Sequence, residues 1–403
     1  MSKHNTPKLR FAQFSGDWEQ KTLGDIAKVE RGKFSARPRN DPKYFGGDIP
    51  FVQTGDVSNS SLFLDNYTQT LNELGLSVSK LFDENTLLIT IAANIGDTAI
   101  TRFKMACPDS LVAISPIKDM SDVFFLKYSL DLQKDNLNSK ATQNAQKNIN
   151  LQVLNPLPIM LPTPAEQTAI GNFFRKIDRL IALNEQKLEH TQTLKKGLLQ
   201  KMFPQNGQNI PEIRFPQFTN AWELEELGNV VEINPKSTLP DEFEYVDLES
   251  VIGTEMIAHR TEYKNSAPSR AQRLAQKGDI FYQTVRPYQK NNYLFELNSG
   301  DKIFVFSTGY AQLRPSVSSY FLFSCVQEEN FVRKVLDKCT GTSYPAINAN
   351  DLSKIRVYIP TNPAEQTTIG DFFRRLDGLI TLHQRKLEHL KQLKKSLLQQ
   401  MFV

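Results

Sequence analysis

Four cations fall within nine residues at Arg31-Gly-Lys33-Phe-Ser-Ala-Arg37-Pro-Arg39. Guanidinium groups grip phosphate oxygens in pairs and match the edge of guanine, so this cluster has the chemistry of a nucleic-acid contact. A solubilising loop has the same composition. Farther along, Thr284-Val-Arg286-Pro-Tyr288-Gln-Lys290-Asn291-Asn292 mixes Arg, Lys, Tyr and amides after a strand-like run, where a polar turn is the plain alternative. A third pair, Thr142-Gln143-Asn144-Ala-Gln-Lys147-Asn and Thr340-Gly-Thr-Ser-Tyr344-Pro, stands in each half just before a shared Ile-Asn. Side-chain amides suit the adenine edge, while Tyr and Thr offer hydroxyl or thymine-methyl contact. Gln53, Arg270 and Arg273 complete the candidate set. The segments correspond by position and differ in residue type.

Catalytic patterns are missing from the sequence. There is no GxxxxGK[ST] loop, GxGxxG fingerprint, HExxH or GxSxG elbow. Of five histidines, His190 and His389 occupy equivalent places in a repeated KLEH motif, which reads as partner contact rather than acid–base work. Cys107, Cys325 and Cys339 lack metal-ligand spacing and suit a reducing cytoplasm. No apolar run approaches the roughly 18 residues that span a bilayer, and the polar N-terminus does not read as a signal peptide. Net charge is +4 over 403 residues. It lies in residues 163–203 and 362–403, each with 7 basic and 4 acidic side chains, whereas residues 204–361 carry 16 and 19. Composition alone therefore does not establish binding to nucleic acid.

The elements that would position these residues are written twice. TPAEQTAIGNFFRKIDRLIALNEQKLEHTQTLKKGLLQKMF (163–203) recurs as NPAEQTTIGDFFRRLDGLITLHQRKLEHLKQLKKSLLQQMF (362–402), about two thirds identical without a gap. Pro7-Lys-Leu-Arg10-Phe…Trp18-Glu…Leu23-Gly24 returns as Pro211-Glu-Ile-Arg214-Phe…Trp222-Glu…Leu227-Gly228. Between these anchors the copies share little. Thr163 and Asn362 as N-caps, Pro164 and Pro363 at N1, and Glu166 and Glu365 at N3 predict a capping box opening each long helix. Steps of four and three follow at Ile170, Phe174, Ile177 and Ile181, with a break at Asn184, then Leu188, Thr191, Leu198 and Met202, the polar members interrupting an otherwise apolar seam. The second copy runs Ile369, Phe373, Leu376, Ile380, His383, Leu387, Leu390, Leu397 and Met401, and both seams slip near Leu194/Leu393. One amphipathic helix cannot bury such a seam, and its duplicate is the economical partner. An antiparallel coiled coil of two ~38-residue helices, each about 57 Å long, would hold two variable units about a pseudo-twofold axis. The variable units read as mixed α/β, with strands at Ile49–Val52, Thr86–Ile91, Glu244–Leu248 and Asp279–Val285 and helices at Phe124–Leu132 and Tyr320–Leu336.

The doubled EQxxIGxFFRxxDxLIxL…KLExxxxLKKxLLQxMF helix, the Arg-Phe…Trp-Glu…Leu-Gly openings and Gly46-Gly-Asp-Ile-Pro-Phe…Thr54-Gly-Asp resemble the specificity subunits of type I restriction–modification systems. The resemblance covers nearly the whole chain. It implies an α+β architecture in which two target recognition domains, residues 1–162 and 204–361, are joined by conserved helical regions, 163–203 and 362–403. It implies a non-catalytic, cytoplasmic subunit that reads double-stranded DNA, one half-site per recognition domain, with a spacer set by the helix pair. Two methyltransferase subunits and up to two restriction/motor subunits would join it. S-adenosylmethionine, ATP and magnesium would sit on those partners, with no cofactor or metal on this chain. Phe173, Phe174, His190, Phe372, Phe373 and His389 are the expected partner contacts. A coiled-coil adaptor with two protein-binding domains is the alternative, and a degenerate nuclease or methyltransferase is a further one.

Overall fold

A computed structural model describes residues 5–142, 148–205, 207–297, 300, 302–341 and 343–403. The chain divides into two compact units, Met1–Glu185 with Arg385–Val403, and Gln186–Gln384. Five helices matter here: α1 (Val123–Leu132), α2 (Pro164–Lys201), α3 (Ser319–Gln327), α4 (Glu329–Leu336) and α5 (Pro363–Met401). Each unit therefore holds part of both long helices.

In the first unit, Glu19–Thr22 pairs antiparallel with Pro158–Leu161 and ties the ends of the recognition region together. Between them lie a five-stranded sheet, in the order Ala27–Arg31, Leu111–Pro116, Leu87–Thr90, Thr98–Thr101 and Phe63–Leu64, and a four-stranded sheet centred on Phe45–Phe51. The apolar run Leu87-Leu-Ile is buried on both faces, since α1 and the long helix cover one side while Val52, Val57 and Phe82 cover the other. Ile170, Phe174, Ile177 and Ile181 of α2 share a core with Leu398 and Met401 of α5. Lys394 Nζ lies 2.6 Å from Asp178 and Lys391 Nζ 2.8 Å from Glu185. One helix rises in number as the other falls, so the pairing is antiparallel.

The second unit repeats the scheme with different sheets. Glu223–Glu226 pairs with Arg356–Ile359. One four-stranded sheet runs Val231–Ile233, Tyr310–Pro315, Ile280–Gln283, Tyr293–Leu294; another runs Arg260–Tyr263, Glu242–Val246, Phe304–Ser307, Ala271–Leu274. Leu199, Met202 and Phe203 at the end of α2 pack with Ile369, Phe373 and Leu376 near the start of α5. Lys195 Nζ sits 2.5 Å from Asp377, the equivalent of the Lys394–Asp178 pair.

The repeated motifs have identifiable work in this frame. Glu166 is buried and accepts from Arg10 through Nε and one terminal nitrogen, both at 2.7 Å; Glu365 does the same for Arg214 at 2.7 and 2.8 Å. The N3 glutamates are thus clasps for the Arg-Phe openings rather than members of a capping box, and Asn362 caps Ala364 N–H alone (2.9 Å). Desolvation explains the choice: a carboxylate this deep needs a full positive partner. Gln167 and Gln366 extend the clasp. Their side-chain N–H groups donate to Pro162 O and Pro360 O (both 3.0 Å), while their oxygens accept from the backbone N–H of Asp122 and Ser318, the N-caps of α1 and α3. Gly171 and Gly370 let those shorter helices approach, because a Cβ there would lie 2.8 Å from Asp122 Oδ1 or Phe321 N. The final Met-Phe pairs enter the cores: Phe402 stacks on Phe125 (5.1 Å), and Phe203 meets Trp222 edge-on (5.9 Å).

Two further expectations change. The run 320–336 is two helices, not one, because Glu328 is extended (φ −69°, ψ 140°) and its carboxylate caps the N–H groups of Asn330 and Phe331. Past the slip, the better-buried leucines are Leu199 and Leu398, with Leu198 and Leu397 only partly covered.

Candidate nucleic-acid interface

The first unit's basic cluster is a loop that leaves the strand Ala27–Arg31, is pinned at Phe34 by a bridge to Ser79, and bends and turns over residues 37–40. Gly32, Phe34 and Ala36 are buried while Arg31, Lys33, Arg37 and Arg39 are exposed. Two-residue alternation from 31 to 36 turns Arg31 and Lys33 to one side, and Arg37 and Arg39 are exposed on the bend and turn that follow. Phe34 anchors the segment among Tyr44, Phe45 and Phe51, and Lys33 N–H bonds Cys107 O (2.9 Å). Asp109 tempers the charge: it takes Arg39 in a two-point pair (2.8 and 2.9 Å), and its backbone oxygen accepts from Arg31 Nε (2.6 Å). The Arg39 guanidinium holds the Asp109 carboxyl below its usual range. Arg37 donates to Ala36 O (2.8 Å). Gln53 stands before a short helix, its N–H bound by Asp56 (2.8 Å) and its amide by Gln69 (3.1 Å). Gln143, Asn144 and Lys147 lie outside the described residues.

In the second unit, Val285 bridges Ala346 and Arg286 N–H donates to Pro345 O (2.8 Å). That contact brings two sequence-distant candidates together, with the Arg286 guanidinium 4.4 Å from the Tyr344 ring centroid. Tyr288 and Tyr344 are 51% and 62% exposed. Lys290 pairs with Glu329 (2.8 Å), and Asn291 accepts from Gly253 N–H (2.8 Å), so these two brace the loop. Arg270 is exposed; Arg273 is half-buried, its Nε has no partner among the described residues, and burial lowers its pKa.

Of the expected partner contacts, Phe174 and Phe373 are fully buried in their own units and present no docking surface. They sit at seam positions, where intramolecular packing covers them. Phe173 and Phe372 are half-buried, edge-on to Phe11 (5.6 Å) and Phe215 (6.0 Å). His190 and His389 are exposed. The sequence reading missed a better candidate surface. Leu180, Leu183 and Leu393 in the first unit are 40–48% exposed, and their equivalents Leu379, Leu382 and Leu194 in the second are 44–58% exposed. The signal was present, as six leucines off the seam at matching places in the repeat.

Among the described residues no His, Cys, Asp and Glu group could hold a metal ion, and no helix is long and apolar enough to cross a membrane. Burial pushes the Cys107 and Cys325 thiols up to about 12, far from nucleophilic use.

A family model for the type I restriction modification DNA specificity domain matches residues 15–192 and again 219–392. The chain belongs to the type I restriction–modification specificity family. The type I restriction enzyme MjaVIII specificity subunit of Methanocaldococcus jannaschii is 22% identical over 98% of this chain and 94% of its own length. The HindI specificity subunit of Haemophilus influenzae is 26% identical over 46% of this chain. Among solved structures, the S subunit from M. genitalium aligns over 99% of both chains with TM-score 0.67 at 16% identity. A chain from a study of type I system assembly and conformational transition aligns over 94% of this chain with TM-score 0.53. Those two likenesses concern the fold. As a specificity subunit this chain is a non-catalytic component whose general role is recognition of a DNA target.

Proposed function

We propose that this specificity subunit reads a two-part, asymmetric duplex sequence, with one half-site for each recognition region, 1–162 and 204–361. The observation that carries the reading is the contrast between matched frame and unmatched readers. Arg10–Glu166 and Arg214–Glu365 are equivalent clasps, and Asp178–Lys394 and Asp377–Lys195 are equivalent helix pins. The segments they support present four exposed cations in one unit and an arginine–tyrosine stack in the other. The conserved helical regions, 163–203 and 362–403, set the unread spacer. Inserting about four residues, roughly one helical turn, near Leu183 or Leu382 lengthens that spacer and leaves both half-sites unchanged. A methylation map with altered half-sites and an unchanged gap contradicts the ruler.

The two equivalent leucine groups support docking of two copies of one partner, the methyltransferase subunit, on the helices. Up to two restriction/motor subunits complete the assembly in the cytoplasm. S-adenosylmethionine, ATP and magnesium belong to those partners. The balanced charge of the readers predicts modest affinity for DNA by the subunit alone, because phosphate neutralisation dominates nonspecific binding. Titrations of DNA onto the subunit and onto its methyltransferase complex test this; equal affinities count against a partner clamp.

A further inference from the structure

The loop from Thr284 to Asn292 is braced on both sides so that one cation is left for a ligand. Gln283 and Asn292, both buried, stitch its base: Gln283 N–H donates to Asn292 Oδ1 (2.8 Å), and the Gln283 side chain bonds Gln289 Oε1 (2.9 Å) and Asn291 N–H (3.2 Å). Lys290 closes on Glu329 and on Gln327 O. Arg286 itself holds a left-handed backbone (φ 54°, ψ 56°), which residues bearing a Cβ rarely adopt. The bridge to residues 345–346 keeps it there and sets its guanidinium over the Tyr344 ring.

Elsewhere in the second unit Arg260, Lys290, Lys302 and Arg314 each pair with a carboxylate. Among the described residues Arg286, like Arg270 and Arg273, pairs with none, and of these three it is the one that lies over an aromatic ring. A guanidinium stacked on an aromatic face keeps its edge N–H groups free and its plane set. Paired donors in a set plane match the N7 and O6 acceptors of guanine, the commonest specific arginine contact in the major groove. A phosphate oxygen demands no such plane and is met as well by the unstacked cations of the first unit.

We propose that Arg286 reads a guanine in the half-site of the second unit, with Tyr344 as its positioning residue. The inference rests on the reading of this chain as a two-part DNA reader and names the base and the side chain. The test is sequencing of methylated DNA from cells carrying the full complex with its cognate methyltransferase. Arg286→Lys keeps the charge and loses the planar fork; it is expected to lower the preference for one guanine about tenfold to a hundredfold, leaving the other half-site intact. Tyr344→Ala is expected to weaken the same preference, and Tyr344→Phe, which keeps the ring, to restore it. A uniform fall across all sequences with unchanged base preference would make Arg286 a phosphate contact and overturn the proposal. Exchange of 284–292 together with 340–346 for a relative's segments separates the two levels. If that exchange alters the half-site while the Arg286 variants leave every guanine preference intact, only the assignment to Arg286 is lost. If the exchange leaves the methylated sequence unaltered, in a complex that still assembles, the second unit is not a reader.

Discussion

In the first unit four exposed cations crowd one short loop and Asp109 restrains two of them; in the second, a single arginine is lifted out of its own backbone preference and laid on a tyrosine. Both arrangements hang from the same clasps. The two copies are alike where buried ion pairs and aromatic packing build the frame, and they differ in the exposed segments proposed as readers. The two frames also differ in detail. Trp222 donates its indole N–H to Glu365 (3.2 Å), whereas Trp18 Nε1 is buried without a partner among the described residues.

That asymmetry sets the largest expected effects. Removing one member of a buried pair leaves an uncompensated charge, so Glu166→Ala and Glu365→Ala each cost about 3–5 kcal/mol. Glu365→Ala is the worse because it also strands the Trp222 N–H. Hydrogen exchange resolved by unit should show loss of protection in the matching unit first, and equal losses from the two variants would dissolve the distinction. Next come the helix pins. Asp178 accepts from Tyr128 (2.7 Å) as well as pairing with Lys394, so Asp178→Asn costs about 1–3 kcal/mol and Asp377→Asn about 1 kcal/mol. Denaturant midpoints of the two variants give the ordering. Leu183→Ser and Leu382→Ser should change stability by less than about 0.5 kcal/mol, since both side chains face solvent. Each should weaken assembly with the methyltransferase at one of two sites; unchanged stoichiometry in analytical ultracentrifugation would remove the leucine groups from the docking surface.

The smallest effect concerns the first reader. Asp109→Asn frees Arg39, and the salt dependence of DNA binding should steepen by about one phosphate contact. Because Arg39 lowers the folded pKa of Asp109, the pair's contribution is present above the ordinary carboxylate range and is lost only as pH falls through that depressed value. Binding by the wild-type first unit should therefore show no Asp109-dependent step between pH 5 and 8 (roughly the physiological span), and a step there would show that the pair is not formed.

Much of this frame was legible in the residues. The duplicated helix, its antiparallel self-pairing and the mixed α/β units follow from a seam that one helix cannot bury. The role of Glu166 was not legible, because a capping box and an arginine clasp use the same residue at the same place, and only the burial decides between them. Glu328 broke the run 320–336 through a cap that apolar periodicity does not register. Phe174 and Phe373 lie on the seam, where helix pairing covers them, while the exposed leucines lie off it and carry no periodic signal. For the readers, sequence identified Arg286 and Tyr344 separately. Their meeting depends on the bridge from Val285 to Ala346, a contact across some sixty residues with no local signature.

The most direct test of two independent readers on one frame is an exchange of residues 204–361 for the corresponding region of a relative with a different target, followed by sequencing of methylated DNA from cells carrying the assembled complex. The account predicts that one half-site changes while the other half-site and the spacer between them stay as they were. Change in both half-sites, or in neither, would contradict it.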